Sequence, residues 1–166
     1  MVIIMAIREI LKKGDPVLTK KAHNVTIFDE KLHTLLDDMK ETLKNAPGVG
    51  LAAPQIGILR RVVVLETVEG ELIELVNPQI ISSAGEIEDI EGCLSIPNVW
   101  GIVKRPETVT VRSQDRFGQP AERIADGYNA RIFCHELDHL EGVLFTQKVI
   151  RYVDPEKEKR GDGGEV

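Results

Sequence analysis

His135 and His139 stand four residues apart, with Glu136 directly after the first, in the stretch Cys134-His135-Glu136-Leu137-Asp138-His139-Leu140. On a helix that spacing stacks two imidazoles on one face, where their nitrogens can share a single transition metal. Glu136 is displaced around the helix and stays free to move protons. A tetrahedral metal needs at least one more protein ligand. An x-x-Gly-x-x-His continuation fits at Gly142 but fails at Phe145, which cannot ligate. Glu156 and Glu158 fall in a polar tail, where fixing a ligand is costly in entropy. Upstream, Glu91-Gly92-Cys93-Leu94-Ser95 puts a thiol after a glycine that permits close backbone approach, and a thiolate beside a divalent cation is deprotonated at neutral pH. Cys93 is therefore the expected third ligand. Cys134, about 100° around the helix from His135, reads as packing.

These groups need elements to hold them. Asp126 can cap the motif helix and Gly142 can stop it, with Ala130, Phe133, Leu137 and Leu140 at helical spacing between. A second, amphipathic helix is expected from about Phe28 to Asn45, on Leu32, Leu35, Leu36, Met39 and Leu43, and it carries no evident chemistry. His23 and His33, near it, lack partners at ligand spacing. In Gly48-Val49-Gly50-Leu51-Ala52-Ala53-Pro54-Gln55 one amide sits among small apolar residues, and where the fold leaves a buried amide unpaired a substrate can supply its partners. The stretch lacks the Gly-Lys-Ser/Thr of a phosphate loop and precedes the first clear strand, which excludes a dinucleotide fingerprint. Strands are expected at Arg60–Glu66, Glu71–Asn77, Trp100–Val103, Thr108–Ser113 and Ala121–Ile124. Short strands with hairpin-length links ahead of one motif helix indicate an α+β fold with antiparallel sheets. Residues 1–153 read as one catalytic domain and 154–166 as a polar, flexible tail, with Lys157–Val166 expected to be disordered.

At 166 residues the chain can bury a core without disulfides, and two cysteines make no disulfide framework. A net charge of −6 argues against a nucleic-acid partner. The apolar run Met1–Ile7 is too short for a signal or a membrane span, and Met5 is a candidate start. A cytoplasmic location is expected.

Gly48–Gln55, Glu91–Ser95 and His135–His139 together resemble the three motifs of the peptide deformylases, in the same order. The resemblance covers most of residues 5 to 150. It implies removal of the formyl group from the N-terminal formyl-methionine of new polypeptides, and an α+β fold whose antiparallel strands surround the histidine-bearing helix. It implies that Cys93, His135 and His139 bind the metal, that Glu136 is the acid/base, and that Gln55 with the Leu94 backbone N–H meets the oxyanion. A Cys/His₂ set suits zinc, cobalt, nickel or ferrous iron, and the resemblance favours Fe²⁺ in the cell, with Zn²⁺, Ni²⁺ or Co²⁺ in isolated protein. It also implies transient ribosome proximity. Many members carry Gln where this chain has Cys134, and no long C-terminal helix is expected here. Val49, Gly50, Tyr128 and Ile132 are expected to bind substrate, forming an apolar slot for the side chain after the formyl group. Asp138 is expected to pair with Arg105. The alternatives are a zinc endopeptidase with the same helix, and a non-catalytic metal-stabilised binding module, which would need a fourth protein ligand.

Overall fold

Four consecutive residues, Val62 to Leu65, are wholly shielded from solvent, which requires cover on both faces of their strand. The computed structural model describes residues 5–161 and supplies both covers. Val62 and Val64 of strand β2 (Val62–Glu66) pack with Leu32, Leu35, Leu36, Met39 and Leu43 of helix α1 (Glu30–Lys44), the apolar stripe expected for that helix. Val63 and Leu65 pack with Ala130, Phe133, Leu137 and Leu140 of helix α2 (Gly127–Leu140), the motif helix.

The sheet between the helices has five strands. Its order is β1 (Gly50–Ala52), β2, β3 (Leu72–Ala84), β6 (Thr108–Gln114), β7 (Pro120–Asp126), and every pairing is antiparallel. A second antiparallel sheet joins β4 (Ile87–Cys93), β5 (Ile96–Arg105) and β8 (Val149–Val153). Its Ile96 and Val103 meet Leu18, Leu144 and Phe145 in a separate small core. The fold is α+β, with antiparallel sheets around the helix that bears the histidines.

Several boundaries differ from expectation. β1, β4 and β8 form where no strand is expected, and β3 and β5 are longer than their apolar runs. Asp126 holds the N-cap position of α2, yet its side chain makes no capping hydrogen bond; instead the Gly127 N–H, at φ +55°, donates to the Glu107 carbonyl at 2.8 Å. Gly142 does end the helix, at φ +72°, and a Cβ there would lie 2.6 Å from the Thr19 backbone. Part of the tail is ordered: helix α3 (Pro155–Gly161) replaces the expected disorder there. Proline and two acids occupy its first turn, and the Asp154 carboxylate accepts from the Glu156 N–H at 3.1 Å, signals of a helix start that need no apolar periodicity. The remainder of the tail, 162–166, and the opening residues 1–4, with the candidate start region around them, lie outside the described residues apart from Met5.

Two side chains tie distant segments together. Asp38 on α1 accepts from the Ala6 N–H at 2.8 Å and from the Arg8 guanidinium at 2.6 and 2.9 Å, so the extended N-terminal segment is strapped across the helix. Asn77, at φ +51°, joins Val25 through both amide atoms, at 2.8 and 2.9 Å, and donates to Gln114 at 2.8 Å. No helix among the described residues is long and apolar enough to cross a membrane.

Candidate active site

The Cys93 sulfur and one ring nitrogen each from His135 and His139 lie within 4.8 Å of one another, the histidines buried and the cysteine partly exposed. Cys93 ends β4, where the hairpin into β5 turns it toward α2; its Sγ is 3.4 Å from His139 Nε2. The two imidazoles are 5.1 Å apart, centroid to centroid, at 69° to each other. Helical spacing sets the separation of the histidines, while packing of the small sheet on α2 delivers the sulfur.

Glu91 holds His135 from behind. Its carboxylate accepts from the His135 Nδ1–H at 2.7 Å, which turns Nε2 toward Cys93 and His139. The same carboxylate receives Arg105 twice, at 2.9 and 3.0 Å, and Arg131 at 2.7 Å. Burial works to raise the Glu91 pKa, but hydrogen bonds from His135 and Arg105 hold it well below the usual carboxylate range. Arg131 also donates to the carbonyls of Val103 and Ile87, pinning β5 and β4 to the helix. Arg105 reaches Asp138 at 2.6 Å, the pairing expected from sequence, and Lys148 adds a second cation to Asp138 at 2.9 Å.

The charges around the ligand cluster favour a cation there. Burial lowers the His135 pKa, but Cys93 and Glu91 on its two nitrogens raise it to about 10. Burial, then His135 and Arg105, drives His139 well below its ordinary value, so that ring is neutral and available as a donor. His139 Nδ1 and Glu136 Oε2 are buried without hydrogen-bond partners among the described residues. A sulfur and two imidazole nitrogens suit a divalent transition metal, and that donor set with an orphaned carboxylate beside it fits one such ion with an open position.

Glu136 is raised to about 7, first by burial and then by the Glu91 charge, with His135 and Arg105 opposing. A carboxyl so placed can both take and give a proton near neutrality. Gly50 makes the room for it, because a Cβ on Gly50 would collide with the Glu136 carboxyl group. Gly48 likewise leaves space for Leu94, whose Cγ a Cβ would meet at 2.8 Å.

The fold itself supplies partners to the Gln55 amide. Oε1 accepts from the Ala52 N–H at 2.9 Å, and Nε2 donates to Ser95 Oγ at 3.1 Å. The same nitrogen lies 3.7 Å from the Cys93 sulfur, so the fold aims an amide N–H at the ligand cluster. Cys134 is buried in the α2 core and pushed by burial to about 11, as a packing residue.

A cleft of about 700 Å³ opens onto this cluster. Val49, Gly50, Gln55, Cys93, Leu94, Tyr128, Ile132, His135 and Glu136 all line it, with Ile7 and Arg8 of the strapped N-terminal segment on its rim. His139 lies behind, 1% exposed. Glu91 as the partner of His135, and Arg131, were not evident from sequence. Arg131 had a signal, since it precedes His135 by one helical turn on the buried face; the link from Glu91 to His135 spans 44 positions and had none.

The polypeptide deformylase family profile matches residues 7–154. A peptide deformylase of Caldanaerobacter subterraneus subsp. tengcongensis is 56% identical over 153 residues, covering 92% of this chain and 96% of its own. One from Caldicellulosiruptor bescii is 52% identical over 162 residues, 95% of this chain and 97% of its own. The crystal structure of a peptide deformylase from Legionella pneumophila superposes with a TM-score of 0.83 at 43% identity, covering 97% of this chain and 100% of that one.

Proposed function

The chain belongs to the polypeptide deformylase family, and from that premise we propose how its own residues carry out the reaction. The enzyme is a metal-dependent hydrolase that removes the formyl group from the N-terminus of newly made polypeptides. The endopeptidase and binding-module alternatives lose their support with that membership.

Cys93, His135 and His139 would hold the ion, a reading supported above all by their meeting within 4.8 Å, with Cys93 and His135 lining the cleft and His139 behind them. When bound, a divalent ion supplies Lewis-acid polarisation of the formyl carbonyl and makes water acidic enough to react at neutral pH. Glu136, whose Oε2 is buried beside the cluster with no hydrogen-bond partner among the described residues, takes the proton of the attacking water and delivers it to the departing amine. The Gln55 amide and the Leu94 N–H donate to the oxyanion as the carbonyl becomes tetrahedral; losing one such donor costs on the order of 10²–10³ in rate. Ser95 and Ala52 hold the Gln55 amide in place, so little reorganisation accompanies the step. Glu91 keeps His135 in one tautomer.

Val49, Gly50, Tyr128 and Ile132 bind the substrate, with the methionine side chain in the apolar part of the cleft. Ferrous iron is the ion in the cell, and Zn²⁺, Ni²⁺ or Co²⁺ can replace it in isolated protein. Residues 1–153 form the catalytic domain and 154–166 an appended polar segment. The enzyme works in the cytoplasm, in transient proximity to the ribosome.

Formate release from a formyl-Met-Ala-Ser peptide, followed with and without a chelator, tests this reading. Chelator-sensitive release is expected; cleavage of internal peptide bonds in an unformylated protein would overturn it.

A further inference from the structure

Three consecutive residues, Leu11, Lys12 and Lys13, run past both groups assigned to the oxyanion, and the mechanism above gives them no role. The Leu11 N–H donates to the Gln55 carbonyl at 2.7 Å, and the Lys13 N–H donates to the Ser95 carbonyl at 2.8 Å. Between them the Lys12 ammonium donates to the Leu94 carbonyl at 3.3 Å. Ile10 packs against the same apolar cluster as Leu94, and Leu11 against that of Cys93. The far end of the segment is fixed as well, since Ala6 and Arg8 are tied to Asp38 on α1.

Without this segment the two oxyanion groups are not equally held. Gln55 is buried, with its amide bonded to Ala52 and Ser95. Leu94 stands half-buried at the turn between β4 and β5, and Lys12 makes the one side-chain hydrogen bond to its backbone among the described residues. Carbonyl and N–H belong to the same residue, so anchoring the first limits rotation of the second. An oxyanion donor works by being aimed before charge develops, and freedom in the Leu94 peptide costs rate even where its N–H is retained. Lys12 is exposed, lines the cleft, and has no ion-pair partner among the described residues, so its charge is not spent on holding the fold.

We propose that Lys12 is a positioning residue for the oxyanion step, holding the Leu94 carbonyl so that the Leu94 N–H points at the reacting carbonyl. This rests on the deformylase reading of the site. Loosening the donor should cost on the order of tenfold in turnover, less than the 10²–10³ of losing it outright.

The test compares Lys12→Met, which keeps the length of the side chain and loses its donor, with Lys12→Arg, which keeps a donor. On a formyl-Met peptide, Lys12→Met should lower kcat and kcat/KM together by about tenfold with KM unchanged, the signature of an interaction made in the transition state. Lys12→Arg should recover most of that loss. Melting temperatures of both variants should match wild type, because the substituted side chain is exposed. Nitrogen-15 relaxation reads the cause directly: the Leu94 order parameter should lie near the rigid value of about 0.85 in wild type and fall toward about 0.6 in Lys12→Met, with that of Gln55 unmoved. Wild-type turnover in Lys12→Met, a loss confined to KM, no recovery in Lys12→Arg, or an unmoved Leu94 order parameter would each overturn the proposal. Wild type that released no formate would instead overturn the deformylase reading, a separable result because the relaxation measurement needs no substrate.

Discussion

Gly50 and Glu136 share one space: a Cβ built on Gly50 would lie 2.6 Å from the Glu136 Cδ, closer than such contacts allow. The glycine is not required by its backbone, which is not in the left-handed region. It is required by the carboxylate. Gly50→Ala should therefore displace Glu136 and lower turnover on the order of 10²-fold, the effect of moving a reacting group by about 1 Å. Metal content and thermal stability should change little. Elemental analysis beside a formate assay separates this from a simple loss of fold, and wild-type turnover in the alanine variant would refute the spatial argument.

Glu136→Gln keeps the shape of the side chain and removes proton transfer. Turnover should fall by roughly 10²–10⁴ with the metal retained. Near-normal rates in metal-replete variant would remove Glu136 from the mechanism.

Cys93→Ser, His135→Ala and His139→Ala should each abolish stoichiometric metal binding. A ligand that binds only the folded state stabilises it by about 2.7 kcal/mol at one hundred times its dissociation constant. Chelation should accordingly lower the melting temperature of wild type and leave that of Cys93→Ser almost unmoved. Full metal content in Cys93→Ser would mean the ligand set is wrongly assigned.

A pH prediction lies away from the site, at Glu74 on β3. Burial acts to raise its pKa, but Arg116 and Lys40, at 2.7 and 2.8 Å, hold it below the ordinary value. A depressed carboxylate contributes stability that is complete above its unfolded-state pKa and is lost as pH falls through the folded-state value. Glu74→Gln should thus cost about 1 kcal/mol at neutral pH, discounted for partial exposure, and nothing once Glu74 is protonated in both states. Urea unfolding of both proteins at neutral pH and at about pH 3 reads the difference. An equal gap at both values would show that charge is not its source.

The meeting of Cys93, His135 and His139 was legible because the chemistry of these residues is dense. His135, Glu136 and His139 declare themselves by helical spacing, and Cys93 by elimination of the other ligands. The outer helix was legible for the same reason of periodicity. What stayed hidden depends on contacts distant in the chain. β4 reads Ile-Glu-Asp-Ile-Glu-Gly-Cys, too acidic to announce a strand, and forms because β5 and Arg131 hold it. β1 is only three residues long and too small in its side chains to show a pattern. The partner of Gln55, Ser95, lies 40 positions away, and nothing in the local sequence points to it.

Strand β2 raises a question of alignment. A strand with one wet face carries its own code, since sliding by one residue would turn apolar groups to water. Val62–Leu65 carries no such code, because sliding would exchange valines and a leucine between two equally dry faces. The correct alignment must be written elsewhere, and Asn77 is where it is written. Its backbone N–H donates to the Arg61 carbonyl at 2.8 Å, and its amide grips Val25 and Gln114. A chain that paired β2 with β3 one residue out of step would strand these polar groups and carry Arg61 or Glu66 toward the dry positions. The asparagine thus acts as a proofreading pin for a strand that could otherwise settle in more than one place.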